Sequence, residues 1–277
     1  MVYCKYEMTI SFDIDKSLLR CREMDEKKQR MDVEALVEKR SELVVKSNEL
    51  IRNARYSLTE VEQKILIYVM SKVKRDDTEL KKVHIDVKDY CEIAGIKAGG
   101  GAKAHIKKSI KSLSDKSWWF AMDGKKETLF RWIDTVEING EQVDITLSSS
   151  LAPYLLDLKS DFTKYEQVVV LPLRGRYVIP LFELFKMNQY KGTRKVKISD
   201  LREMINCDKY PAFKEFNRNV LKYSIEQINS FTDIFVTYRT EKIGRAIDTI
   251  IFKIEEKEGI QMRMDLLMNK VKQENEN

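Results

Sequence analysis

The sequence predicts an α+β protein made of two tandem copies of one module, related by internal duplication, and three observations carry that prediction. Residues 82–94 read KVHIDVKDYCEIA and residues 195–206 read KVKISDLREMIN. Each is a short alternating strand, then a polar residue at the position of a helix N-cap (Asp86, Ser199), then a short amphipathic helix. Each is followed by a longer basic helix and by a run rich in β-branched or aromatic residues. Strand, short helix, basic helix and β-hairpin together make a winged helix, which presents a helix to the DNA major groove. The copies are offset by one residue, and two units make a duplicated domain rather than a solenoid.

Taken in order, residues 1–40 form a polar N-terminal extension, partly flexible or helical, with the charge cluster Arg20–Arg30. Met24 and Met31 are possible internal starts. Leu36, Leu43 and Leu50 are spaced by seven, but Arg40 and Ser47 spoil the other seam of a zipper. Leu43-Val44-Val45 reads better as an extended lead-in to the first domain, 41–158. A scaffold helix begins at Ser57, where Ser57 and Glu60 match the capping-box pattern and Val61, Ile65, Tyr68 and Val69 follow helical spacing. Val83–Ile85 is a strand and Val87–Ala94 a helix stopped by Gly95.

After the turn Gly99–Gly101, a second helix runs from Ala102 to about Asp115 with Ala102, Ile106, Ile110 and Leu113 on one stripe. Strands follow at Trp118–Met122, Thr128–Ile138 and Gln142–Leu147, with turns at Asp123-Gly124 and Asn139-Gly140. A short helix at Leu151–Leu158 closes the domain. The second domain, 159–257, opens with a helix over Gly175–Tyr190 that Pro180 kinks or delimits. After the repeated strand and short helix come a long helix at roughly Ala212–Asn229 and a hairpin of Ile234–Arg239 and Ala246–Glu255. Residues 258–277 are a polar C-terminal tail.

Composition bounds the function. With 277 residues, 43% apolar and 34% charged, the chain holds two domains with their own cores and a highly charged surface. A formal charge of +6 suits nucleic acid without requiring it. Cys4, Cys21, Cys91 and Cys207 are scattered, with no CxxC and no Cys–His cluster, which fits a reducing cytoplasm and offers no metal site. No secretory signal is visible, and the apolar runs Ile65–Met70 and Val168–Leu173 are too short to cross a bilayer, so no membrane role is expected.

Catalytic motifs are missing. The two histidines, His84 and His105, are far apart, so the metal pair of a relaxase cannot form. There is no G-x-x-x-x-G-K-[ST] and no G-x-S-x-G. The Gly99–Gly101 tract lacks the spacing of a phosphate loop. No cofactor, metal or enzymatic activity is expected; His84 reads as a surface or structural residue and His105 as a phosphate contact at most.

The basic helices carry the functional signal. In the first module Lys103, Lys107, Lys108 and Lys111 can meet phosphates or guanine edges. In the second, Lys209, Tyr210, Lys214, Arg218, Asn219 and Lys222 gather at the start and outer face of the long helix. Arg218 and Asn219 matter most, because arginine reads guanine and asparagine reads adenine bidentately. Lys125, Lys126, Lys242 and Arg245 sit at hairpin tips, where a wing crosses the phosphate backbone. The bland alternative is that these charges merely solvate exposed helix faces. Trp118, Trp119 and Phe120 alternate on a strand, with one face for the core.

The stretch VVKSNELIRNARYSLTEVEQKIL (44–66), the tandem layout up to about 257, FKEFNRNVLKYSIEQINSFTDIFVTY (213–238) and GRAIDTIIFKI (244–254) resemble the iteron-binding replication initiators of theta-replicating plasmids. The resemblance implies double-stranded DNA with direct origin repeats as the partner, opening of an adjacent AT-rich region, and recruitment of host replication proteins such as a helicase or initiator. It also implies a monomer–dimer equilibrium, with dimerisation and some DNA contacts (Lys107, Lys111) in the first domain. The main reading then falls to the second, around Lys214, Arg218 and Asn219. A winged-helix repressor that binds an operator without initiating replication, and a winged-helix protein–protein module, are the rival readings.

Overall fold

The computed structural model describes residues 35, 36, 38–74, 76–122 and 126–257. The expected extension up to residue 34, the tail from 258, and the turn Asp123-Gly124 with Lys125 lie outside the described residues. The chain divides into two compact units, 1–40 and 41–277. The described part of the first is helical at 35, 36 and 38–40.

The second unit opens with β1 (Leu43–Ser47), the extended lead-in expected from Leu43-Val44-Val45. It runs antiparallel to β8 (Phe162–Glu166), with Val45 opposite Lys164. Ser47 then caps α1 (Asn48–Asn53) by accepting from the Leu50 N–H. A two-residue strand, β2 (Ala54–Arg55), leads to the scaffold helix α2 (Glu60–Ser71). The capping box lies two residues later than Ser57 and Glu60 suggest. Thr59 is the N-cap, accepting from Glu62 N–H at 3.3 Å, while the Glu62 carboxylate accepts from Thr59 N–H at 2.7 Å. Both S-x-x-E and T-x-x-E fit the pattern locally. Ser57 is instead a partner of the Arg176 guanidinium, 2.8 Å away.

The first module follows as β3 (Val83–Asp86), α3 (Val87–Ile93) and α4 (Gly100–Ser114). Asp86 caps α3 as expected, accepting from the N–H groups of Lys88 and Asp89. Ile106, Ile110 and Leu113 of α4 are buried, so the helical stripe is the core stripe. The second module repeats this order as β9 (Thr193–Lys197), α7 (Ile198–Met204) and a long helix, α8, of three contiguous segments: Phe213–Phe216, a π-helical turn Asn217–Lys222, and Tyr223–Phe231. Here the cap differs from expectation. Lys197 precedes the first helical residue and makes no side-chain cap, and Ser199 bonds Asp200 within the first turn.

The hairpins show how the duplication is built. β6 (Ile133–Asn139) and β7 (Gln142–Leu147) pair with each other, and β3 adds to β7. β10 (Ile234–Ile243) and β11 (Ala246–Glu256) do the same, and β9 adds to β11. The two sheets therefore have one topology, and the wing of the first module is β6–β7. The strands β4 (Ser117–Met122) and β5 (Lys126–Arg131) form an inserted hairpin whose sheet is completed by β2. The expected single strand over Thr128–Ile138 is broken at Trp132, which is buried and stacks on Trp118 with ring centroids 5.1 Å apart. Trp118 and Phe120 are buried and Trp119 is exposed, as their alternation requires.

Both wings close on two residues with glycine first, Gly140-Glu141 and Gly244-Arg245, and both glycines have positive φ (62° and 61°). That is the residue order a type II′ turn favours. The turns therefore lie one residue beyond Asn139-Gly140 and are tighter than Glu241–Arg245. The two helices flanking β8 are shorter than their sequence patterns. α5 (Ala152–Leu155) carries Pro153 in its first turn. α6 (Val178–Met187) holds Pro180 at its third position, where no intrahelical N–H is needed. Phe182, Phe185, Val220, Leu221, Val236 and Phe252 form the second core.

Candidate nucleic-acid interface

The exposed surface of α8 is set by its neighbours. Phe216, Val220, Leu221 and Ile228 are buried, which leaves Lys214, Arg218 and Lys222 facing solvent. Asn219 is half-buried, and its side-chain oxygen accepts from Arg218 Nε at 3.3 Å. The two expected base readers are thus hydrogen-bonded to one another in the free protein, and both are within reach of a ligand approaching this face. Asn217, one residue earlier, bonds the Tyr238 hydroxyl on β10 and so anchors the π-helical turn to the wing. Lys209 is exposed and lies over the Tyr210 ring, 5.5 Å from its centroid. Lys242 and Arg245 are exposed, Lys242 on β10 after a register shift and Arg245 in the turn.

The first module arranges its charges differently. Lys103 Nζ is 2.7 Å from Glu141 Oε1, and Lys107 Nζ donates to the Gly140 carbonyl at 3.3 Å. Two of the expected phosphate contacts therefore hold the tip of their own wing. Lys108, Lys111 and His105 remain exposed on α4. Where the second wing turns on Arg245, the first turns on Glu141, so the two tips carry opposite charge. Lys126 begins β5 in the inserted hairpin, away from the β6–β7 turn in the chain. His84 is exposed and paired with Asp144 across β3 and β7, a structural role.

Residues that the sequence did not single out join the second module's face. The loop Arg174-Gly175-Arg176-Tyr177 precedes α6 and meets α8. Gly175 has φ +105°, and a Cβ there would come within 2.9 Å of Tyr223 Cε1. Arg174 N–H donates to Gln227 Oε1 at 3.0 Å, and Gly175 N–H donates to Glu60 Oε2 at 2.7 Å. Glu60 also holds Lys64 and Arg174. Burial raises the Glu60 pKa, but these donors outweigh it and keep the carboxyl below its ordinary value. Burial pushes the Tyr177 hydroxyl up to about 12, with the Cys207 thiol adding to the shift. The R-G-R triplet before a proline-bearing helix was the available sequence signal for this loop.

Among the described residues, no group of three or more His, Cys, Asp and Glu side chains gathers as a metal site, and no helix is long and apolar enough to cross a membrane.

Comparison with known proteins agrees with this architecture. Residues 43–186 match the family model described as initiator replication protein, WH1, and residues 197–254 match that of initiator Rep protein, WH2. A replication initiation protein of Escherichia coli is 25% identical over 244 residues, covering 84% of this chain and 76% of that protein. The crystal structure of the Pi initiator protein in complex with iteron DNA superposes with a TM-score of 0.67 at 19% identity, covering 79% of this chain and 99% of that one. That likeness supports the fold, and the family matches cover both modules. The chain, with its two winged-helix domains, belongs to the initiator replication protein family.

Proposed function

We propose that this protein is a sequence-specific duplex-DNA-binding replication initiator that binds repeated sites at a plasmid origin and promotes its opening. The observation that carries the reading is the Arg218–Asn219 pair on α8, Arg218 exposed and Asn219 half-buried, flanked by Lys214 and Lys222, in a module whose wing tip is Arg245. Membership of the initiator family and the likeness to a protein solved on iteron DNA support the choice of repeats as target. Phosphate contacts from Lys209, Lys214, Lys222, Lys242 and Arg245 set register; Arg218 and Asn219 select bases. Tyr210 supports Lys209. The protein acts through binding energy rather than catalysis, with strain on the neighbouring duplex from bending or multimer assembly. Two linked modules raise affinity through effective concentration.

The main reading belongs to the second domain, and the first adds contacts through Lys108 and Lys111. The first domain also supplies dimerisation. Trp119 and Leu129 face each other across β4 and β5 and are 48% and 52% exposed, and β5 is a sheet edge. Antiparallel pairing of β5 with a second copy, centred on Leu129, would set Glu127 against the other copy's Arg131 twice. Host replication proteins, a helicase or initiator, complete the partners, and the site of action is the plasmid in the bacterial cytoplasm.

The test is footprinting on duplex taken from beside its own gene, against scrambled duplex, over a salt series. A footprint that repeats at regular spacing, together with loss of base preference in Arg218→Ala worth roughly 1–3 kcal/mol at one position, is the expected result. A single palindromic footprint would assign the protein to operator repression instead. No preference over scrambled DNA would overturn sequence-specific binding altogether.

A further inference from the structure

We infer that the cleft between the Gly175–Val178 loop and α8 is a seat for one phosphodiester group of the bound duplex, gripped by Arg176 beside the base-reading face. This inference rests on the DNA-binding reading above. The cleft holds roughly 250 Å³, several times a water's share of about 30 Å³, enough for a phosphate with its sugar. It is lined by Arg176, Lys209, Tyr210, Asn219, Tyr223 and Ser224, among others, and by no carboxylate.

Three features point to an anion. Arg176 and Lys209 are both exposed, and among the described residues neither has an acidic partner; Arg176 has only the Ser57 hydroxyl and the Tyr177 ring. Ser224 is 1% exposed, and its hydroxyl oxygen has no hydrogen-bond partner. A buried hydroxyl without a partner is costly unless something bonds to it. The acid bonded to the loop, Glu60 at the start of α2, is committed to Lys64, Arg174 and the Gly175 N–H. Gly175 itself keeps the wall thin, since any side chain there would strike Tyr223.

The position gives the seat its use. Asn219 lines the cleft while its oxygen holds Arg218, so a phosphate in the cleft sits one hydrogen bond from the base reader. A strand fixed at Arg176 would set the register of Arg218 on the bases.

The experiment uses the full chain and the footprinted duplex, with binding measured over a salt series. Arg176→Gln is expected to weaken specific and scrambled duplex by the same factor, about tenfold, and to flatten the salt slope by about 1. Arg176→Lys should keep the slope. Ser57→Ala, which removes the neutral partner of Arg176 and leaves its charge, should leave binding unchanged. Replacing single phosphates by neutral methylphosphonates should reveal one position that weakens the parent protein and no longer matters in Arg176→Gln.

An unchanged slope in Arg176→Gln, or no such position, overturns the proposal. Inorganic phosphate that protects the parent protein from thermal unfolding, but not Arg176→Gln, with an unchanged DNA slope, would assign the cleft to a free anion and overturn it equally. If the parent protein shows no sequence preference, the initiator reading fails, while the slope difference on scrambled duplex still decides the cleft.

Discussion

Lys46 and Glu183 form a buried ion pair, 2.6 Å from Nζ to Oε1, that joins β1 to α6. The Tyr165 hydroxyl on β8 bonds the same carboxylate oxygen. One acid thus ties together β1, its partner strand β8, and α6, which precedes the strand β9 of the second module. A charge left alone at such a depth is costly, whereas removing both charges is often neutral.

Lys46→Met is therefore expected to destabilise the protein by roughly 3–5 kcal/mol, read as a lower urea midpoint with unchanged slope. Adding Glu183→Leu and Tyr165→Phe should regain most of that loss, because no buried charge or hydroxyl is then stranded. A Lys46→Met loss no larger than that of the triple variant would show that the pair is solvated.

The cap of α2 separates two patterns that look alike in sequence. Thr59→Ala should cost about 1 kcal/mol in thermal unfolding through loss of the N-cap. Ser57→Ala should cost much less, since its hydroxyl caps no helix. Equal losses would restore Ser57 as the start of the helix.

In the first module the lysines divide into two classes. Lys108→Ala and Lys111→Ala, at exposed positions, should each flatten the salt dependence of DNA binding by about 1 without changing base preference. Lys103→Ala should change DNA binding less and loosen the β6–β7 tip, measured as faster amide exchange at Gly140 and Glu141, because its ammonium is held by Glu141. A Lys103 effect on the salt slope as large as that of Lys108 would remove the distinction.

Acid should destabilise the fold through Asp86. Burial opposes its ionisation, but the N–H groups of Asp89 and Lys88 and the Gln142 amide outweigh that and hold the carboxyl below its ordinary value. The unfolded chain then binds the proton more readily than the folded one. The resulting stability is complete above the ordinary carboxylate value near 4 and is lost as pH falls through the depressed folded value. Asp86→Asn keeps a side-chain acceptor for the cap and removes the titration. It should lower stability at neutral pH and flatten the acid limb of a urea midpoint plotted against pH. An unchanged acid limb would place the linkage elsewhere.

Whatever local chemistry controls was legible in the residues alone. Asp86 at an N-cap, the Ile106–Ile110–Leu113 stripe, the alternation of Trp118, Trp119 and Phe120, and a glycine at each wing turn all follow from neighbours within a few residues. So did the repeated module, and with it the two winged-helix domains and the exposed face carrying Arg218. What depends on strand pairing was not legible. The local run 117–147 does not say which two strands form the wing, because β3, some 60 residues before β7, selects the partner. Nor does a lysine at position 103 reveal that its carboxylate partner lies at 141. The cleft was hidden for the same reason, since Arg176 and Ser224 come from distant stretches of chain that meet only when α6 packs on α8. The choice between Ser57 and Thr59 as cap, and between a lysine free for phosphate and one holding a wing, is made by packing energies that no window of sequence contains.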